Sequence, residues 1–311
     1  MRTPLRYSPW LSKAAQGEVF LKLETLQPTN SYKIRGATNA VLKLIAAAGN
    51  HPPQIVTASA GNHGRAMAHA AAAAGLSLTV YAPEHAPKTK LAAIRDAGAE
   101  LRLCTDYDEA ERRAKEHGAR GIGVFISPYA HPDVIAGAGT VALEIMADLP
   151  SVGTIVASMG GGGLISGIAI ASEGRTEAAG VEVEASTPFT SGLKAGRIVP
   201  IEVGDTLADG LSGNLDPDTP TFEIVRDRVR RIAVVSESDL GEAIRGVAYY
   251  EKLIIEGATA AAVAAVLSGK LDVRGKQVAI VLSGANVDLD RWAFVVGCHP
   301  DELPLTPRLE E

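Results

Sequence analysis

Cysteine is nearly absent: the 311 residues hold two, Cys104 and Cys298, far apart and in no CxxC spacing. That excludes a disulfide framework and a zinc cluster, and the pair reads as reduced core thiols of a cytoplasmic protein. Aromatic residues are scarce at 5%, which argues against platforms for stacking nucleic-acid bases. Positive charge is not in excess either. Thirty Lys and Arg face 36 Asp and Glu for a net −6, so nothing pulls the chain toward nucleic acid or anionic lipid. Long apolar runs are also missing. Ala70–Ala74 with its flanks is too short and interrupted to span a bilayer, and MRTPLRYSPWLSK carries no apolar run before a small-residue cleavage site.

Hydrophobic residues make up 46% of the chain, enough for a large core or two. Strand-like and helix-like segments alternate. Gln54–Ser59, Leu78–Ala82, Glu100–Cys104 and Val124–Ile126 read as strands, interleaved with helices at Asn62–Gly75, Pro87–Ala97 and Asp108–Gly118. Such short βα units predict a small parallel sheet covered by helices. A second series follows, with strands at Gly153–Ala157, Val181–Ser186, Arg231–Val235 and Gln277–Leu282. Its helices are expected at Thr140–Asp148, Leu164–Gly174, Thr221–Arg228, Glu237–Leu253 and Gly257–Ser268, with a loop-rich stretch at Gly192–Pro220. The strand Val19–Glu24 and helix Ser31–Ala48 precede the small sheet and are assigned to the second half. The expected domains are therefore 1–40 with 140–311, and 41–139, with a ligand cleft between them.

Four segments stand where strands give way to loops or helices. In Gln27–Pro28–Thr29–Asn30–Ser31–Tyr32–Lys33, Pro28 turns the chain and Asn30 or Ser31 can cap a helix. Lys33 then falls in the first turn, where the helix dipole and burial both disfavour an ammonium and leave a nucleophilic amine. In Ser59–Ala60–Gly61–Asn62–His63–Gly64, small residues open a helix whose free N–H groups suit a carboxylate or phosphate. Gly160–Gly161–Gly162–Gly163–Leu164 lets backbone approach an anion at a helix start. It lacks the GxGxxG spacing and any P-loop Lys-Ser/Thr pair, so a single phosphate fits better than a dinucleotide or a triphosphate. Finally, Ser283 ends the strand Gln277–Leu282, where its hydroxyl can bond a ring nitrogen without forcing a proton onto it.

Together these segments resemble the fold-type II pyridoxal-phosphate enzymes, in the threonine/serine dehydratase and serine racemase branch, along nearly the whole chain. The matching runs include Gln-Pro-Thr-Asn-Ser-Tyr-Lys-Ile-Arg-Gly-Ala, Ser-Ala-Gly-Asn-His-Gly, Gly-Gly-Gly-Gly-Leu and Ser-Gly-Ala-Asn. Val134–Gly137, Thr206–Gly210 and Glu256–Ala258 match as well. The resemblance implies a two-domain α/β fold like the tryptophan synthase β chain, with pyridoxal 5'-phosphate as cofactor. It implies that Lys33 bonds the cofactor covalently and serves as catalytic base. Tyr32 would pack near the ring and Asn62 would bond its 3'-oxygen. Gly160, Gly161, Gly162, Gly163 and Leu164 would cradle the phosphate, and Ser283 would face the ring nitrogen. Ser59, Ala60, Gly61, Asn62 and His63 would hold the substrate carboxylate. The implied reaction removes water and ammonia from a small β-hydroxy amino acid; relatives are dimers or tetramers.

Three departures from the resembled pattern bear on function. Racemases of this branch carry a second serine at the position of Ala60, and alanine has no proton to give, so elimination is expected over racemisation. The run Ala185–Ser186–Thr187–Pro188 has no acid where relatives bind a divalent cation, so no metal is expected. Ala138 stands in place of a glutamine, which leaves room for a bulkier substrate such as hydroxyaspartate or phenylserine. A C-terminal regulatory domain is not expected. Rival readings are weaker. A serine hydrolase would need glycine where Thr57 stands two residues before Ser59, and the SxxK run Ser191–Lys194 lacks its companion motifs. A non-catalytic cofactor-binding protein would not need Lys33.

Overall fold

The computed structural model describes residues 1–49 and 51–297. Ten strands occur among the described residues: β1 (Leu5–Tyr7), β2 (Glu18–Leu23), β3 (Gln54–Ala58), β4 (Leu78–Pro83), β5 (Glu100–Cys104), β6 (Gly123–Phe125), β7 (Thr154–Ser158), β8 (Glu177–Val183), β9 (Arg231–Val235) and β10 (Gln277–Leu282). They form a six-stranded sheet, order β1-β2-β10-β7-β8-β9, and a four-stranded sheet, order β5-β4-β3-β6. Only β1 is antiparallel; every other pairing is parallel. Parallel strands are covered on both faces, and all six residues of β4 (LTVYAP) are accordingly buried, apolar but for Thr79, whose hydroxyl donates to Glu100. The fold is the expected α/β type. β2 pairs with β10 between residues 259 apart in the chain, so the strand Glu18–Leu23 lies in the six-stranded sheet.

Small residues set how closely the helices pack. Gly257–Leu267, the sequence GATAAAVAAVL, is buried from Gly257 through Val266. A Cβ on Gly137 would lie 2.5 Å from the Arg35 carbonyl oxygen, and one on Gly167 would lie 2.4 Å from that of Ile135. The helices Lys33–Ala48, Pro132–Asp148 and Gly163–Ala171 therefore touch backbone to backbone. This explains the largest departure from the sequence expectation. The middle helix starts at Pro132, eight residues before the expected Thr140, because Gly137 and Gly139 look like breakers yet serve as contact points. His131 caps it by accepting from the Asp133 N–H.

Other differences have local causes. β8 spans Glu177–Val183 and not Val181–Ser186, since Ala178–Ala179–Gly180 has little strand character by itself. Pro188–Ala195 is a helix overlapping the supposed loop-rich stretch, capped by the buried Glu182 carboxylate, which accepts from the N–H groups of Phe189 and Thr190. That acid stands upstream of the run read as lacking one. The expected helix Glu237–Leu253 is α-helical only to Gly246, continues as a π-helical turn over Val247–Glu251, and stops where Lys252 takes a left-handed φ of 58°. Cys104 is buried and unpaired, while Cys298 lies outside the described residues. Among the described residues no helix is long and apolar enough to cross a membrane.

Candidate active site

All four chemical segments lie at the C-terminal ends of parallel strands, where ligands of α/β folds bind. Leu282 of β10 is in register with Leu23 of β2, and Ile280 with Val156 of β7. Ser283, the chain leading to Lys33 and the glycine run therefore emerge side by side.

Lys33 is the first residue of its helix. Neither expected cap is formed fully: Asn30 takes a left-handed φ of 53°, and the Ser31 hydroxyl accepts from the Lys33 N–H at 3.4 Å. What fixes the turn is β10. The Tyr32 N–H donates to the Ser283 carbonyl at 2.9 Å, and Ser31 forms a bridge with Gly284. The half-buried Lys33 amine donates to the Pro128 carbonyl at 2.7 Å. Burial brings its pKa down to about 8, although the Glu256 carboxylate opposes the shift. An amine that is partly neutral near neutral pH is what carbonyl chemistry needs. The Tyr32 ring lies 5.4 Å from this amine, its hydroxyl pushed up by burial and then by Glu256.

Behind Lys33, a buried charge network pins its helix. Arg35 bonds Glu24 at 2.7 and 2.8 Å and Glu144 at 2.7 and 2.8 Å, and Lys22, fully buried, donates to Glu144 at 2.7 Å. Burial would raise the Glu144 carboxyl, but Arg35 and Lys22 overcome it and bring it down to about 2.

Between β7 and its helix, Gly162 takes φ 81°, and a Cβ on Gly161 would lie 2.3 Å from the Tyr129 ring. Only glycine fits there. The N–H groups of Gly160, Gly161 and Gly162 have no acceptor among the described residues, and neither does the buried Ser158 hydroxyl. Leu164 follows, buried, in the first turn of the helix.

On the opposite wall, the Ser59 hydroxyl accepts from the Gly61 N–H at 3.2 Å, and Gly64 packs so closely that a Cβ would lie 2.3 Å from the Ser59 carbonyl oxygen. Ala60 is buried with Ala82, Ala86 and Leu91. His63 is buried, without a well-aligned hydrogen bond to either ring nitrogen. Burial and the nearby Lys33 hold its imidazole neutral, against a weaker pull from the Ile126 carbonyl. The Asn62 amide donates to Glu256 at 2.8 Å and accepts from Asn286 at 2.7 Å. One of its protons stays available for a ligand oxygen. Arg65 also bonds Asn286, at 2.7 Å. Ala60, Gly61, Asn62, Arg65 and Asn286, with Lys90, border a cavity of about 250 Å³.

Sequence reasoning assigned no role to Arg35, Glu256, Thr259 or Asn286. A signal for Glu256 was present: it is the one charge in the run Leu253–Leu267, and burial raises its carboxyl above the usual range, against the Asn62 bond. Arg35 and Asn286 stood inside matched runs.

Tested against pyridoxal phosphate, the residues fit. A partly neutral amine stands beside a hydroxyl at a strand end, next to a loop of unpaired N–H donors that admits no Cβ. The Pyridoxal-phosphate dependent enzyme family model matches residues 1–284. An L-threonine ammonia-lyase of Thermotoga maritima is 41% identical over 293 residues, covering 93% of this chain and 72% of that protein. A catabolic L-threonine dehydratase of Escherichia coli is 37% identical, covering 95% of this chain and 91% of the other. The crystal structure of a pyridoxal 5'-phosphate-dependent aspartate racemase superposes with a TM-score of 0.86 at 32% identity, covering 94% and 93% of the two chains. The chain thus belongs to the pyridoxal-phosphate dependent enzymes.

Proposed function

We propose that this enzyme converts a small β-hydroxy amino acid, threonine or serine, into a 2-keto acid with release of ammonia. The observation that carries it is the Lys33 amine, brought down to about 8 by burial and set beside Ser283 by the Tyr32–Ser283 backbone bond. The L-threonine ammonia-lyase and the L-threonine dehydratase at 41% and 37% identity support the substrate class.

When bound, the cofactor supplies an electron-accepting ring that acidifies the α-hydrogen of an amino acid joined to it. The chain's own residues do the rest. Lys33 would hold the cofactor, and its amine would take the proton from the substrate Cα. Gly160 to Gly163 and Leu164 would hold the phosphate through backbone N–H groups at a helix start. Ser283 would serve the ring nitrogen, Tyr32 would pack by the ring, and Asn62 would give its remaining proton to the 3'-oxygen. Ser59 to His63 hold the substrate carboxylate, so that the Cα–H points at Lys33. Loss of the α-proton and of the β-hydroxyl removes one water; hydrolysis then restores that water and frees ammonia. The two sheets act as separate domains, 1–40 with 140–311 and 41–139, that close over the substrate. The protein works as a cytoplasmic homodimer or homotetramer.

The aspartate racemase likeness favours racemisation as the second reading. Ala60 weighs against it, because its methyl sits among Ala82, Ala86 and Leu91 and offers no proton to the far face. Keto-acid release measured across serine, threonine, hydroxyaspartate and phenylserine isomers tests the proposal. Turnover of threonine or serine well above their racemisation is expected; racemisation without keto acid would overturn it.

A further inference from the structure

Thr221 lies in the first turn of the helix Pro220–Arg228 and is fully buried. Its hydroxyl lies 2.8 Å from the Gly161 carbonyl oxygen, which has no other partner among the described residues. A carbonyl can only accept, so the proton between the two belongs to Thr221. The Thr219 hydroxyl, 2.9 Å from that of Thr221, carries a proton of its own and needs none from it.

What this bond fixes follows from the peptide unit. In a planar trans peptide the C=O of one residue and the N–H of the next point in opposite directions. With the Gly161 carbonyl turned to Thr221, the Gly162 N–H faces the other way, and it has no acceptor among the described residues. Gly162 has φ 81° and ψ −1°, the torsions of the third residue in a type II turn. A type I turn differs chiefly by reversal of the central peptide, and with glycine on both sides of that peptide neither form carries a Cβ penalty. The Tyr129 ring lies against Gly161 and the Phe189 ring against Gly162, but both contacts run through ring carbons and offer the carbonyl no proton. The Thr221 hydroxyl is what selects the orientation.

We propose that Thr221 is a positioning residue for the cofactor phosphate: it holds the Gly161–Gly162 peptide so that the Gly162 N–H is aimed into the phosphate cradle before the cofactor arrives. This rests on the placement of the phosphate in the Gly160–Gly163 run made above. Without the hydroxyl, the Gly161 carbonyl loses its donor, and the cofactor must order the peptide as it binds. The loss is worth about one ordinary hydrogen bond, or roughly tenfold in affinity.

The test compares the binding of pyridoxal phosphate with that of pyridoxal, which lacks the phosphate, to the full chain freed of cofactor, each followed by the long-wavelength absorbance. Thr221→Val should raise the Kd for pyridoxal phosphate about tenfold and leave that for pyridoxal within about twofold. Thr221→Ser, which restores the hydroxyl, should match the parent. If the valine variant does not fold, Thr221→Ala removes the same hydroxyl and carries the same expectation. An equal loss for both ligands would make Thr221 a structural residue only, and no loss for either would show that its bond does not orient the peptide; each result overturns the proposal. A crystal structure of the holoenzyme with the phosphate outside the glycine run would instead refute that placement, and this inference with it.

Discussion

The two walls of the cleft are built on different principles. The wall that carries Lys33 is cross-braced by buried charge: Lys22, Glu24, Arg35 and Glu144 tie a strand, a helix and the Lys33 helix together. Among the described residues, the wall that carries Ser59 to His63 has no such network. It meets the first wall through the apolar face of the Lys33 helix, where Ile34, Ala37 and Val41 pack with Ile55, Ala66 and Met67, and through polar bonds that are few, chiefly Asn62 to Glu256 and Asn286, Arg65 to Asn286, and the exposed pairs Lys90–Asp209 and Lys115–Asp216. A group that must stay attached and correctly aimed sits on the rigid side. A carboxylate that must enter and leave is met by the side that carries no buried charge network and few polar bonds across the cleft.

Substitutions should separate the walls by size and kind of effect. Lys33→Ala should lower turnover about 10³-fold or more while leaving the melting temperature of the apoprotein near the parent's, as measured by keto-acid assay and thermal melt. Arg35→Met should act on stability first. It strands the buried Glu24 carboxylate, and breaking a buried pair this way costs about 3–5 kcal/mol, read as a melting temperature lower by more than about 5 °C. The same network gives an acid limit. The Glu144 carboxyl is depressed from 4.5 to about 2, so its contribution is present above pH 4.5 and is lost as pH falls toward 2. Glu144→Gln should flatten the stability curve of the protein in that window.

Asn286→Ala should raise KM about tenfold with a smaller change in melting than Arg35→Met, since it removes the neutral bond to Asn62 and the bond from Arg65 that cross between the walls, with one bond to the Thr29 carbonyl inside the first wall. A large loss of stability instead would mean that the second wall is as rigid as the first. Ala60→Ser should have the smallest effect on elimination, within about tenfold, and add measurable racemisation, detected by chiral analysis of recovered substrate. No racemisation would place residue 60 away from the far face of the substrate.

Legibility in the sequence followed the same division. Strand ends and glycine runs are local signals, so the segments with Lys33, the Gly160–Gly163 run and Ser283 stand out from spacing and turn chemistry, while their roles come from the resemblance. Helix Pro132–Asp148 was cut short because Gly137 and Gly139 are helix breakers by propensity and contact points only in three dimensions. The charge network was not legible at all. Lys22, Glu24, Arg35 and Glu144 look like ordinary surface charges until β2 and the helix Pro132–Asp148 are brought together. Thr259 belongs to the same class, since its partner Ser283 comes from another part of the chain, whereas Glu256 stands out as a lone charge in an apolar run and only its partner Asn62 is hidden.

The central claim is that residue 33 bears the cofactor. Borohydride reduction of the holoenzyme followed by peptide mass mapping tests it most directly. A pyridoxyl-phosphate adduct on the peptide containing Lys33, with loss of the long-wavelength absorbance, is the predicted result. An adduct on a different lysine, or none, would contradict the account.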